Sequence, residues 1–175
     1  MPIRFRDAGQ SIYTFGDTFL VRCPRCARRA GVTPLPVAPI DLSPQPPSSQ
    51  GKREPKPSRR PTPLLAPRRC VCAHCGYVKE WRGNKLSIGA ACDWYFGYAL
   101  WLQTPCCGQT LWAFNEPHLR FLEEFVGADL RERTPELRRF HNLTYASRLP
   151  RWVQAGANRD EVLSGLARMR ALLEE

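Results

Sequence analysis

Two short cysteine motifs, Cys23-Pro24-Arg25-Cys26 and Cys72-Ala73-His74-Cys75-Gly76, decide how this chain can fold. Each has the Cys-x2-Cys spacing that lets a turn direct two sulfur atoms at one ion. Together they supply four thiolates, the number that tetrahedral zinc takes in a closed structural site. Gly76 suits a tight turn after the second motif, because glycine tolerates positive φ. We therefore predict one structural Zn²⁺ rather than a set of free thiols, and its ligands are Cys23, Cys26, Cys72 and Cys75.

The length and the N-terminus indicate the class of protein. A chain of 175 residues favours one domain, either alone or with appendages. Residues 1–7 lack the apolar run of a signal peptide, and no segment approaches the length of a membrane-spanning helix. We therefore expect a cytoplasmic protein with no membrane partner. In a reducing compartment, paired cysteines indicate metal ligands rather than a disulfide framework.

Positive charge is concentrated in the first part of the chain. Residues 1–69 contain thirteen Lys and Arg residues against four Asp and Glu residues, whereas residues 115–175 contain ten of each kind. A localised basic patch attracts polyanions such as DNA or RNA, but it can equally be a solubilising surface. The candidate nucleic-acid contacts surround the first motif: Arg22, Arg25, Arg28 and Arg29.

Residues 31–69 differ in composition from the rest of the chain. They contain eleven of the 17 prolines and no aromatic residue. Proline fixes φ and removes backbone donors, and there are few large apolar side chains here to offset the entropy of ordering. We predict a disordered, Pro-rich basic insert. The expected organisation is an N-terminal strand with the first motif (1–30), the insert (31–69), the second motif with an aromatic hairpin (70–114), and a helical segment (115–175).

Strand patterns flank both motifs, at residues 18–22, 69–71 and 77–81. Strands alternating with cysteine motifs are the plan of a zinc ribbon, in which the metal replaces a core too small to hold a fold. Two aromatic-rich runs, residues 98–103 and 109–114, surround a Pro/Gly turn and predict a β-hairpin. We expect three tryptophans to pack a small core rather than to stack on bases: Trp94, Trp101 and Trp112.

From Asn115 onwards the apolar pattern becomes helical. Asn115 suits an N-cap, and an apolar face follows it: Leu119, Leu122, Phe125, Val126 and Leu130. A second helix is expected near Thr134 and a short turn near residues 149–152. A last helix is expected to begin with a capping box at Asn158, and its apolar stripe comprises Val162, Leu163, Leu166, Met169 and Leu173. The predicted fold class is therefore α+β: a small zinc ribbon, an adjoining β-hairpin and a C-terminal helical segment.

The other cysteines and the histidines form no recognisable catalytic motif. Cys70, Cys92, Cys106 and Cys107 lie outside the two motifs. The vicinal pair Cys106-Cys107 could fill space, bind a metal or act in redox chemistry. Adjacent side chains of a strand point to opposite faces, so we do not expect both to bind one ion. His118 is expected to be neutral and packed in the first turn of a helix, where positive charge is not favoured.

The two cysteine motifs resemble those of zinc-ribbon proteins of the transcription factor IIB type. The chain as a whole also resembles a group of uncharacterised bacterial proteins that carry such a ribbon. That second resemblance rests on residues 100–108, on residues 111–115 with His118-Leu119, and on residues 148–152. It covers roughly residues 18–30 and 70–170. It implies a zinc-binding fold but no activity, because ribbons serve DNA, RNA and protein partners alike.

Three functions follow from these patterns. The first is a zinc-binding module that contacts nucleic acid non-specifically through its basic N-terminal part. The second is an adaptor that docks a protein partner on the C-terminal helices, which have balanced charge and apolar faces. The third is a thiol redox enzyme that uses Cys106 and Cys107. The sequence offers no positive sign of catalysis, so the enzyme is the least favoured of the three.

Overall fold

The computed structural model describes residues 2–35, 63–133 and 144–174, which form eight β-strands and four α-helices. The strands are β1 (Arg4–Asp7), β2 (Phe19–Arg22), β3 (Arg29–Pro34), β4 (Arg68–Val71), β5 (Val78–Trp81), β6 (Leu102–Cys106), β7 (Gln109–Ala113) and β8 (Leu130–Arg133). The helices are α1 (Glu116–Gly127), α2 (Tyr145–Arg148), α3 (Arg151–Gln154) and α4 (Arg159–Ala171). The predicted α+β class is confirmed. None of the helices described is long and apolar enough to cross a bilayer.

Both cysteine motifs lie in one antiparallel sheet, in which β2, β3, β4 and β5 pair in sequence order. The first motif is the turn between β2 and β3, and the second is the turn between β4 and β5. The strands predicted around the motifs are confirmed. The sequence pattern does not predict β3, because Gly31 and Pro34 weaken its strand character.

The ends of the predicted insert belong to this sheet. Residues 31–34 lie in β3 and residues 68–69 in β4, and Thr33 pairs with Arg69. The Leu35 N–H donates to the Pro67 carbonyl at 2.9 Å. These end residues are therefore part of the ordered sheet, in contrast to the predicted boundaries. Residues 36–62 lie outside the described residues.

Strands β6 and β7 form the predicted hairpin, which joins the four-stranded sheet through β2. The Leu20 N–H donates to the Phe114 carbonyl at 2.7 Å, and the Trp101 N–H donates to the Leu20 carbonyl at 2.9 Å. The buried ring of Phe19 lies 4.8 Å from that of Phe114 and 5.2 Å from that of Trp94, measured between centroids. The sheet and the hairpin therefore share one hydrophobic core.

The two longer helices, α1 and α4, pack against each other and the hairpin. Asn115 caps α1 as predicted, since its side chain accepts from the His118 N–H at 3.0 Å. The predicted capping box of α4 is wrong, because the Asn158 amide donates instead to the Trp152 carbonyl at 3.0 Å. Leu130 lies in β8 rather than on the face of α1, because that helix ends at Gly127.

The remaining helical predictions have mixed outcomes. The turn expected near residues 149–152 contains the short helix α3. The helix expected near Thr134 lies outside the described residues. Strands β1 and β8 form a parallel pair that the sequence does not predict, because parallel pairing joins segments that are remote in the chain.

Candidate metal centre

Four thiols from two hairpin turns meet at one point. The Sγ atoms of Cys23 and Cys75 lie 3.6 Å apart, as do those of Cys26 and Cys72, and all four lie within 4.8 Å of one another. Zn–S bonds of about 2.3 Å place tetrahedral sulfur ligands roughly 3.8 Å apart. The predicted ligand set is thus brought together in a geometry that can hold one metal ion.

The two turns share a backbone plan. In the first turn the Ala27 N–H donates to the Cys23 carbonyl at 2.9 Å, and in the second the Gly76 N–H donates to the Cys72 carbonyl at 3.0 Å. Ala27 and Gly76 each follow the second cysteine of their motif, and both have positive φ, 59° and 69°. This left-handed residue closes the turn and directs both sulfur atoms of each motif to the same side.

Substituting Gly76 with alanine tests this plan. No atom lies within 4 Å of a Cβ added at Gly76, so the expected cost is that of a side chain at positive φ, a loss of about 1 kcal/mol of unfolding free energy. Gly31→Ala is the matched control, because Gly31 also has open space but lies in a strand. Urea unfolding with zinc present measures both variants. An equal effect at the two positions would contradict the prediction.

The thiols influence one another electrostatically. The backbone N–H groups of Cys75 and His74 lower the pKa of Cys72 to about 7, against the effect of burial. The Arg28 N–H lowers the pKa of Cys26, but burial and the three neighbouring thiols outweigh it and raise that pKa to about 12. Four thiols this close cannot all ionise at neutral pH unless a cation lies between them, which is what a divalent metal supplies.

The four candidate nucleic-acid contacts all lie on the surface around the first turn. Two of them line a cavity of about 380 Å³ beside the four-cysteine cluster. We call this cavity the arginine–tryptophan groove, and its lining residues are Arg28, Arg29, Ala73, His74 and Trp101. The Arg22 guanidinium lies 5.5 Å from the centroid of the Trp101 ring. Trp94 is buried, and Trp101 and Trp112 are half-buried and pack against the core, which agrees with the expected core role.

The C-terminal end of α4 positions this groove. The Trp101 indole N–H donates to the Leu172 carbonyl at 3.0 Å. The Arg29 guanidinium donates through Nη1 to the Leu173 carbonyl at 2.9 Å. Carbonyl groups at a helix C-terminus carry partial negative charge and favour a guanidinium. The groove therefore depends on the packing of α4, so no local sequence pattern could reveal it.

The vicinal cysteines lie at the tip of the β6–β7 hairpin. Cys106 is the buried last residue of β6, and the turn consists of Cys107 and Gly108, with φ of 50° and 70°. Positive φ at both central residues is the mark of a type I′ turn. Since Cys107 lies outside the strand, the alternation of side chains does not separate the two thiols, and their Sγ atoms are 3.7 Å apart. The premise of the expectation from the sequence, that the two side chains point to opposite faces, is therefore wrong.

The Cys107 thiol does not have the properties of an activated redox cysteine. Burial, with the neighbouring Cys106 thiol and Glu161 carboxylate, raises the pKa of Cys107 to about 12. Reactive cysteines instead have a lowered pKa, because the thiolate is the nucleophile. This environment gives no support to the thiol redox alternative.

The other singled-out residues are not among the four thiols of the cluster. Cys70 is buried in β4 and Cys92 is half-buried. His74 is exposed as expected, whereas His141 lies outside the described residues. His118 is buried as expected, and burial lowers its pKa to about 3, so its imidazole is neutral.

Comparison of the chain with protein-family models, with curated proteins and with solved structures finds no match. The resemblance to ribbons of the transcription factor IIB type, and to bacterial proteins that carry one, therefore stays a prediction. The interpretation of the metal centre rests on its own geometry and on the chemistry of its four donors.

Proposed function

We propose that this protein is a zinc-ribbon module that contacts nucleic acid through the arginine–tryptophan groove. One observation carries the proposal: exposed guanidinium groups and an indole lie together beside the four-cysteine cluster. Four cysteine thiolates within 4.8 Å of one another favour zinc among the common divalent ions. Such a set leaves no coordination position open, so the ion is structural and holds the groove in place.

The groove has the chemistry of a site for phosphate and base. Arg28 and Arg29 present planar guanidinium groups, which bind phosphate oxygens in pairs. Trp101 adds an aromatic surface on which an unpaired base can stack. None of the described lining residues is acidic. The combination favours single-stranded over duplex nucleic acid, with little sequence preference and strong dependence on salt.

The adaptor alternative has less support. Of the predicted α4 stripe, Val162, Leu166 and Met169 are buried, and Leu163 and Leu173 are half-buried against the core. The apolar face of α1 is also buried. Among the described residues, the large apolar side chains that are exposed all lie outside the four α-helices. The helical faces that motivated a docking role are thus used inside the chain.

Reversing one charge in the groove, at Arg28, and one on the same turn beside it, at Arg25, tests the nucleic-acid proposal. We expect Arg25→Glu/Arg28→Glu to weaken binding of a single-stranded oligonucleotide at least tenfold at low salt. The slope of log affinity against log salt should fall by about 1.4, since each phosphate contact on a single strand contributes about 0.7. Fluorescence anisotropy across a salt series measures both quantities.

The matched control is Arg120→Glu/Arg151→Glu, which makes the same change of net charge at exposed positions of α1 and α3. This variant should retain most of the affinity. Equal weakening in the two variants would show that only net charge matters, and binding that does not respond to salt would contradict the proposal outright.

A second variant separates the groove from the insert, whose basic residues include Lys52, Arg53, Arg59 and Arg60. Because Leu35 and Pro67 are hydrogen-bonded neighbours, a short Gly-Ser linker can replace residues 36–62. Binding that survives this replacement supports the groove. Binding that disappears would assign it to the insert instead.

A further inference from the structure

We propose that Cys106, Cys107 and Glu161 form a second metal site, which takes a thiophilic divalent cation such as Zn²⁺ and leaves one coordination position open to solvent. This site shares no residue with the four-cysteine cluster or with the arginine–tryptophan groove. It lies where the tip of the β6–β7 hairpin meets the first turn of α4.

The donor atoms already lie at ligand separations. The Sγ atoms of Cys106 and Cys107 are 3.7 Å apart, which matches the 3.6 Å between paired sulfurs of the four-cysteine cluster. A carboxylate oxygen of Glu161 and both sulfurs all lie within 4.8 Å of one another. The two sulfurs thus have the separation of two ligands of one zinc ion, and the carboxylate oxygen lies close enough to supply a third donor.

A hydrogen bond holds the carboxylate in this position. The Cys107 N–H donates to Oε1 of Glu161, although the two residues are 54 positions apart in the chain. A carboxylate has two oxygens with about four acceptor sites, so this bond leaves capacity for an ion. Glu161 is therefore oriented toward the two thiols before any ion binds.

The hairpin turn does not by itself explain the cysteine at position 107. Its φ of 50° suits glycine, asparagine or aspartate, which type I′ turns favour. Cysteine gains nothing there as a backbone residue. The left-handed conformation is, however, what brings its thiol to the same side as that of Cys106. The chemistry of the side chain, rather than the shape of the turn, accounts for the residue.

The exposure of the donors defines the type of site. Cys106 is buried, Cys107 is half-buried and Glu161 is exposed, so the triangle runs from the core to the surface. Three protein ligands leave a fourth tetrahedral position for water or for an external ligand. Two sulfur donors select Zn²⁺ or Cd²⁺ over Mg²⁺ and Ca²⁺, which prefer oxygen. We expect this ion to exchange faster than the ion of the closed four-cysteine cluster.

Counting zinc ions per chain by native mass spectrometry tests the proposal on the full-length protein. The wild type should bind two zinc ions, one of which a mild chelator removes first. Cys107→Gly should bind one, because glycine suits the positive φ and only the thiol is lost. The matched control is Ala27→Gly, which makes a similar change at a φ of 59° in the first cysteine motif and should still bind two.

Glu161→Gln supplies a second variant at an exposed position, where the fold is not at risk. It should weaken binding of the exchangeable zinc ion at least tenfold and leave the affinity for the other ion unchanged. A wild type that never binds more than one zinc, a Cys107→Gly protein that binds two, or an unchanged affinity in Glu161→Gln would overturn the proposal. Nucleic-acid binding plays no part in these readouts, so the two proposals can fail separately.

Discussion

Replacing Cys75 with serine is expected to release the zinc ion that we propose for the four-cysteine cluster and to unfold the sheet of β2 to β5, with a loss on the order of 10 kcal/mol of folding free energy from metal binding. Removing one of four thiolates leaves three donors and an open position, which no longer form a closed site. Cys23→Ser should act in the same way. Zinc content, together with hydrogen exchange of the amides in β2 to β5, measures the effect.

The loss should be greatest in the hairpin of β4 and β5. Val71 and Val78 are 40% and 56% exposed and β5 contains no fully buried residue, so this arm reaches the core mainly through Arg68 and Cys70 of β4. In contrast, Phe19 of β2 and Val32 of β3 are fully buried in the shared core. Their packing should preserve more of the structure of these two strands when the metal is lost.

Cys92→Ser is the control for the loss of a thiol, because Cys92 is half-buried and belongs to neither cysteine cluster. It should keep the structural zinc and the exchange pattern of the wild type. A soluble Cys75→Ser protein with no zinc in the ribbon and native exchange in β4 and β5 would contradict the prediction.

Acidification is expected to remove up to about 5 kcal/mol of stability through His118 alone. Burial lowers the pKa of His118 from 6.5 to about 3, and each pKa unit corresponds to about 1.4 kcal/mol. Between these values the unfolded chain binds a proton that the folded chain does not. The contribution is therefore complete above pH 6.5 and is lost as the pH falls toward 3.

The surroundings of the ring explain why it stays neutral. Nδ1 accepts from the Phe114 N–H at 3.2 Å, so Nε2 carries the proton and donates to the Tyr145 hydroxyl at 2.8 Å. The ring stacks on Phe15 with centroids 4.8 Å apart. A second proton on Nδ1 would break the bond to Phe114 inside the core.

His118→Asn tests this origin of acid sensitivity, because asparagine places an acceptor near the position of Nδ1 but does not titrate. We expect lower stability at pH 7 and a weaker dependence of the unfolding free energy on pH between 6.5 and 4. All other titratable groups are the same in the two proteins, so the difference between the two pH profiles isolates His118. Identical slopes would contradict the assignment.

The four-cysteine cluster could be predicted because its signal is local. A Cys-x2-Cys turn places two sulfurs on one side, whatever the rest of the chain does. Two such turns supply the four sulfurs that one ion needs. The N-cap at Asn115 and the β6–β7 hairpin are similarly encoded by neighbouring residues. In contrast, β3 could not be predicted, because its pairing with β2 and β4, rather than the propensities of its own residues, makes it a strand.

What only the tertiary structure decided is which distant side chains share a site. Trp101 and Arg29 meet the end of α4 at Leu172 and Leu173, and Cys107 meets its first turn at Glu161. The sequence by itself determined the four-cysteine cluster and the α+β class, through short-range turn geometry and apolar period. The groove and the Cys106–Cys107–Glu161 site follow from the packing of one helix on the sheet and hairpin, because side chains far apart in the chain meet only when the apolar faces that carry them are buried together.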